Sequence, residues 1–235
     1  MTVQNDDWLG LHGKVCVVTG AGGGIGRAVA LGMAQAGASV VLLDNNLENC
    51  RATEEALRPT GAKTLALECD IADPQSVAAA ERAAQAVGPC DILINNAGVL
   101  RPGPLATVRL EDWNLVLAVN LTGYLLCAQT FGKAMIERGS GAIVHTASIA
   151  GSNAQGFSGA YSVSKAGVIM LSRQLAVEWG PHGVRSNVVS PGMVRTPPCA
   201  QPPRLRYSGF AIPASGAIPA CSCAGTRCPS RRRRR

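Results

Sequence analysis

"KVCVVTGAGGGIGRAVA", residues 14–30, changes character twice within seventeen positions. Val15 to Thr19 is a short apolar run rich in β-branched residues, the signature of a buried strand. Five glycines then fall among residues 20–26, and an alanine-rich stretch with helical spacing runs from Ile25 to Ala36. Gly37 is placed to close that helix. In such a strand–turn–helix, Gly20, Gly24 and Gly26 let the backbone turn tightly and approach a pyrophosphate closely. The helix N-terminus behind them offers free N–H groups and the positive end of a dipole. A glycine-rich turn alone is an ordinary loop; its position between a strand and a helix makes it a dinucleotide-binding signal.

Outward from this turn the same alternation repeats. "SVVLLD" (39–44), "TLALE" (64–68), "DILIN" (91–95), "AIVHTAS" (142–148) and "VRSNVVS" (184–190) read as five further strands. Helical stretches separate them, one leading to Pro59 and one opening at Asp73-Pro74 as N-cap and first-turn proline and ending by Gly88. Glu111–Arg138 reads as one long helix stopped by Gly139, and Tyr161–Trp179 as another. Six mostly apolar strands alternating with helices predict an α/β domain, a doubly wound parallel sheet of Rossmann type covered on both faces.

The net charge of +7 suggests an acidic partner until it is divided along the chain. Residues 1–196 hold 14 of the 22 Lys and Arg and all 15 Asp and Glu, so this part is nearly neutral. Residues 197–235 hold 8 Arg and no acid. The basic character therefore belongs to that stretch alone, and nothing in 1–196 argues for nucleic acid. The sequence predicts a cytoplasmic protein: "MTVQNDDWLG" lacks the pattern of a secretory signal, and no apolar stretch reads as a membrane span. Cys16, Cys50, Cys69, Cys90 and Cys127 are scattered without metal-ligand spacing and read as buried free thiols, so no metal is expected.

Asp44 ends the second strand, 24 residues beyond Gly20. A carboxylate there accepts hydrogen bonds from the adenosine ribose hydroxyls and repels a 2′-phosphate, which favours NAD over NADP. Arg27, just inside the first helix, is the one nearby cation that argues the other way. "YSVSK" (161–165) sets Tyr161 and Lys165 four residues apart, hence on one face of a helix. A free phenol is a poor base at neutral pH, but a neighbouring ammonium stabilises the phenolate. Such a phenol takes a proton from an alcohol or returns one to a ketone. Ser148 ends the fifth strand, on the side of a parallel sheet where ligands bind, and its hydroxyl suits the reacting oxygen.

"TGAGGGIG" (19–26), "NNAG" (95–98), Asn120, Ser148, "YSVSK" and "SPGMVRT" (190–196), in this order, resemble the short-chain dehydrogenase/reductase family over about residues 10–196. The resemblance implies an NAD-dependent oxidoreductase that interconverts a secondary alcohol and a ketone by hydride transfer. A 3-oxoacyl-thioester reductase would use the same chemistry, and a non-catalytic nucleotide-binding remnant is the alternative from another class. It implies Tyr161 as general acid/base and Ser148 as the group that polarises the substrate oxygen. Lys165 would tune Tyr161 and hold the nicotinamide ribose, while Asn120 would hold a relay water reaching Lys165. A helix-to-helix hydrogen bond is the plain alternative for Asn120. Cofactor contacts are implied at Gly20, Gly24, Ile25, Gly26 and Asp44, at Asp70 and Ile71 for adenine, and at Asn96, Ala97 and Gly98. Pro191, Gly192, Val194 and Thr196 would hold the nicotinamide side. A homo-oligomer through the 111–138 and 161–179 helices is the usual family assembly.

From residue 197 the family pattern of a lid, a further helix and a seventh strand is not legible. Seven prolines, no carboxylate and a final "RRRRR" replace it, so the sequence divides into a 1–196 domain and an irregular basic 197–235 segment. Three readings of that segment compete: a cysteine knuckle built on Cys199, Cys221, Cys223 and Cys228, a nucleic-acid or localisation element, and an out-of-frame translation. The abrupt change of composition favours the last, which predicts a sheet without its seventh strand and an impaired enzyme.

Overall fold

The computed structural model of the chain describes Asp7, residues 9–194 and Thr196. Six strands form one parallel sheet: β1 (Val15–Thr19), β2 (Ser39–Asp44), β3 (Thr64–Glu68), β4 (Ile92–Asn95), β5 (Gly141–Thr146) and β6 (Val184–Val189). Their order is β3-β2-β1-β4-β5-β6, with every neighbouring pair parallel. The order reverses between β1 and β4, which opens a crevice at the carboxyl ends of those two strands. The expected six strands and their doubly wound arrangement are thus present. The expectation about a seventh strand lies outside the described residues, as do the readings of the 197–235 segment.

Strand alternation explains why both faces are covered. Val15, Val17, Val41 and Leu43 point to one cluster with Tyr124, Phe131, Met135 and Val168. Their neighbours Cys16, Val18, Val40 and Leu42 point the other way, onto Ala30, Ala34, Cys50 and Leu57. The first cluster is closed by α3 (Pro74–Ala84), α5 (Gly123–Arg138) and α7 (Tyr161–Trp179), the second by α1 (Gly24–Gln35) and α2 (Leu47–Leu57). A run buried on both faces has no polar side to show, hence the continuous apolar text of β1 and β2, whereas edge strand β6 exposes Arg185 and Asn187.

Local signals also land where the chemistry puts them. Asp73 caps α3 by accepting from the Gln75 N–H at 2.9 Å, with Pro74 in the first turn. Asn46 caps α2 in the same way, accepting from Asn49 at 3.0 Å. Gly37 and Gly139, just past α1 and α5, take positive φ of 90° and 69°, as left-handed helix stops require.

The 111–138 helix differs from expectation in one respect. It is a continuous helical run from Leu110 to Arg138, but a π-turn at Ala118–Thr122 separates α4 (Leu110–Leu117) from α5. The run has 29 residues and a mean hydropathy of 1.4 in its most apolar stretch, long and apolar enough to cross a membrane, contrary to the sequence reading. Its apolarity has another cause: Tyr124, Cys127, Ala128, Phe131 and Met135 are buried against the sheet, so it is a partly buried core helix.

Candidate active site

The glycine turn is built by sterics. Gly20 has φ of 65°, and a Cβ there would lie 2.7 Å from the Ala97 Cα. A Cβ on Gly26 would lie 2.0 Å from the Gly20 carbonyl oxygen, so only glycine lets the helix start this close to the strand. The helix that follows has no side-chain cap and no acidic residue in its first turn, which leaves its N–H groups available to an anion. Two residues from elsewhere in the chain, one just past β4 and one on α2, hold the turn in shape. Asn96 donates to the carbonyls of Thr19 (3.1 Å) and Gly20 (3.3 Å), and buried Thr53 of α2 donates to the Ala21 carbonyl at 2.9 Å.

This turn forms the floor of a cleft of about 810 Å³. Gly20, Gly24, Ile25 and Asp44 line it, as do Asp70, Ile71, Asn96, Ala97 and Gly98. Tyr161, Gly192, Val194 and Thr196 line it too, and Thr196 lies close to the turn, its Cγ2 3.5 Å from where a Cβ on Gly24 would be. Gly26 sits beneath the turn, off the lining. Both oxygens of the Asp44 carboxylate are fixed, one accepting from Gly22 N–H and the other from Asn46 N–H, each at 3.0 Å. The sequence reading missed Asn49 and Cys69, which also line this cleft. No local pattern marks them, because only the packing of α2 against the turn brings Asn49 there.

A second cleft of about 310 Å³ joins it and contains the remaining groups: Ser148, Tyr161, Lys165 and Pro191, with Thr146 and Leu100 on its wall. Ser148 caps the four-residue helix α6 (Ile149–Ser152), accepting from Ala150 N–H at 3.1 Å. That contact occupies one lone pair and leaves its hydroxyl hydrogen free to donate. Lys165 is 2 % exposed and donates to the Thr146 carbonyl at 2.7 Å, with its Nζ 5.7 Å from the centre of the Tyr161 ring. Burial lowers its pKa to about 8.

Asn120 lines neither cleft. It lies in the π-turn and is fully buried. Its Nδ2 donates to the Val99 carbonyl at 2.9 Å and to Ser164 Oγ on α7 at 3.1 Å, and its Oδ1 accepts from Val99 N–H at 2.8 Å. The helix-to-helix bond is therefore present, and both amide hydrogens are used within the protein. Oδ1 keeps one lone pair. A Cβ on Gly98 would lie 3.4 Å from that oxygen and 3.7 Å from Lys165 Nζ, so a small space lies between the two polar groups.

A doubly wound sheet with a phosphate-type glycine turn at its switch point, and a Tyr/Lys pair beside it, defines a nucleotide-dependent oxidoreductase. The comparisons with known proteins agree. The family described as short chain dehydrogenase matches residues 14–202. D-threitol dehydrogenase of Mycolicibacterium smegmatis is 45% identical over 187 residues, covering 79% of this chain and 72% of that protein. Cis-4-hydroxycyclohexanecarboxylate dehydrogenase of Sinomonas cyclohexanicum is 42% identical over 186 residues, covering 78% and 74% of the two. Among solved structures, that of NAD+-bound xylitol dehydrogenase superposes with a TM-score of 0.75 at 35% identity, covering 77% of this chain and 71% of that one. The chain belongs to the short-chain dehydrogenase/reductase family, oxidoreductases that act on CH–OH groups with NAD(P).

Proposed function

We propose that the chain oxidises a secondary alcohol to a ketone with NAD, and reduces the ketone in reverse. The observation that carries the reading is Lys165, a buried ammonium with no carboxylate partner among the described residues, set beside the Tyr161 ring. An unpaired buried cation is costly unless its charge is used, and a phenolate forming next to it would use it. Tyr161 takes the hydroxyl proton of the substrate while Ser148, its hydrogen free, donates to the same oxygen. A nicotinamide held in the large cleft would supply the acceptor for the carbinol hydride. Lys165 balances the phenolate charge and, from the inner cleft, has one hydrogen left for the nicotinamide ribose. A relay water fits between Asn120 Oδ1 and Lys165 Nζ, in the space a Gly98 side chain would fill.

The preference for NAD rests on Asp44. Its carboxylate is held by two backbone N–H groups at the rim of the cleft, suited to ribose hydroxyls and repulsive to a 2′-phosphate. Adenine would lie by Asp70 and Ile71, the pyrophosphate over Gly24 and Ile25, and the carboxamide near Pro191, Gly192, Val194 and Thr196. The small volume of the inner cleft suits a short substrate, and the names of two relatives suggest polyols. Assembly into a homo-oligomer is supported by an exposed apolar row on α7: Val163, Met170 and Val177, spaced by seven residues and so on one helix face.

One experiment tests the reading. Purified protein is incubated with threitol, xylitol or a 4-hydroxycyclohexane carboxylate and either NAD or NADP, following reduced-cofactor absorbance and thermal stability. NAD-dependent turnover with stabilisation by NAD is expected. Preference for NADP would reject the role given to Asp44. Stabilisation by NADH without turnover would favour the nucleotide-binding remnant, the second reading, supported by the proline-rich acid-free text after Thr196.

A further inference from the structure

Behind the Tyr/Lys pair lies a second tyrosine that the reaction above does not use. Tyr124 of α5 is fully buried, and Lys165 Nζ stands over its ring at 5.1 Å from the centroid. Its Oη lies 3.4 Å from that nitrogen, at the long end of hydrogen bonding, and donates to the Thr146 carbonyl at 3.3 Å. The same Thr146 carbonyl accepts the 2.7 Å bond from Lys165. Lysine nitrogen, phenol oxygen and carbonyl oxygen thus close a three-membered polar ring at the back of the inner cleft.

Tyr124 is itself held from two sides. Asn95 Nδ2 donates to its backbone carbonyl at 3.0 Å and lies 3.3 Å from His145 Nδ1. His145, the cross-strand neighbour of Asn95, stacks its ring on the Tyr124 ring at 5.9 Å with an interplanar angle of 24°. The ionisable groups facing Lys165 are then Tyr161 on its own helix, Tyr124 on α5 and, behind Tyr124, His145 on β5. No acid forms an ion pair with it among the described residues.

We propose that Tyr124 is a positioning residue for the reaction: its ring face and hydroxyl hold the Lys165 nitrogen against the Thr146 carbonyl and beside Tyr161. The ring attracts the ammonium through its negative face, and the oxygen supplies the only side-chain lone pair among the described residues within hydrogen-bond reach of that nitrogen. Burial keeps Tyr124 a neutral phenol and His145 a neutral imidazole, the latter titrating near pH 4. Neither neighbour therefore adds a competing charge at neutral pH. The proposal rests on the oxidoreductase reading for its functional consequence, though not for its geometry.

The test uses the small number of lysines, four in the whole chain. Protein labelled with 13C at the lysine ε-carbon gives four resolvable signals, and Lys165→Met assigns the buried one. Tyr124→Phe keeps the ring and removes the oxygen. The Lys165 titration is expected to move down by about 0.5–1 pH unit, and Tyr124→Leu to move it further. In parallel, kcat for alcohol oxidation at pH 7 should fall about three- to tenfold in Tyr124→Phe, with KM for NAD changed less than twofold. An unmoved Lys165 titration in folded Tyr124→Phe overturns the proposal. If neither variant folds, the wild-type spectrum decides: Lys165 ε-protons over an aromatic face must be shifted upfield of the other three lysines, and their absence there overturns it too. Absence of turnover in wild type, with the titration shift present, counts against the oxidoreductase reading and leaves the positioning geometry supported.

Discussion

Replacing Asn120 by Ala probes the joint between the π-turn, the cofactor cleft and α7. The wild-type amide donates to the Val99 carbonyl and Ser164 Oγ and accepts from Val99 N–H, all between 2.8 and 3.1 Å. Alanine leaves both Val99 backbone groups without these partners. Ser164 loses less, because its hydroxyl still donates to the Tyr161 carbonyl at 2.7 Å. An orphaned buried polar group costs about 1–3 kcal/mol, and Val99 is only half-buried, so the lower part of that range applies to each group. With the small cavity left by the amide, the expected loss is about 3 kcal/mol. Asn120→Asp should lose as much at pH 7, since a carboxylate accepts from Val99 N–H but cannot donate to Val99 or Ser164. Urea unfolding followed by far-UV circular dichroism measures both. NAD affinity should fall as well, because Val99 anchors the Gly98–Leu100 segment of the cleft wall. An Ala variant within about 0.5 kcal/mol of wild type would refute the reasoning.

Three further predictions concern pH, the turn and the carboxylate. His145 has a folded pKa lowered from 6.5 to about 4 by burial and then by Lys165, so the unfolded chain binds more protons between those values and stability falls as pH drops. The loss from pH 7 to 5 is expected to be about 2 kcal/mol by urea unfolding and to shrink in His145→Gln; an equal slope in both proteins contradicts it. Gly26→Ala puts a methyl 2.0 Å from the Gly20 carbonyl and should lower stability by about 2 kcal/mol and NAD affinity more than about tenfold, read by urea unfolding and calorimetric titration. Asp44→Asn should weaken NAD about tenfold and raise the NADP to NAD ratio of kcat/KM; an unchanged ratio removes Asp44 from cofactor choice.

What could be read beforehand was whatever the chain writes locally. The glycine turn, the Asp73-Pro74 start of α3 and the 161/165 spacing are each complete within a few residues, so their geometry follows from turn and helix rules. The central strands β1, β2 and β4 were legible because burial on both faces leaves little room for polar interruptions. Groups that act through distant partners left no such mark. Thr19 reads as the end of a strand, yet its hydroxyl accepts from the N–H groups of Asn96 and Ala97, 77 and 78 residues away. The π-turn has no signature in "AVNLT", since the extra residue is accommodated by Asn120 reaching back 21 positions to Val99. Tyr124 and His145 carry no local signal of function, and only their packing beside Lys165 gives them polar work.

The central claim is that Tyr161, beside buried Lys165, carries the proton in an NAD-dependent oxidation of an alcohol. Its most direct test is the initial rate of NADH formation from a polyol by wild type and by Tyr161→Phe, with NAD affinity measured for both by calorimetry. A fall in kcat of about 10²–10⁴-fold with NAD affinity within about threefold is predicted. A Tyr161→Phe protein that turns over at the wild-type rate would contradict it.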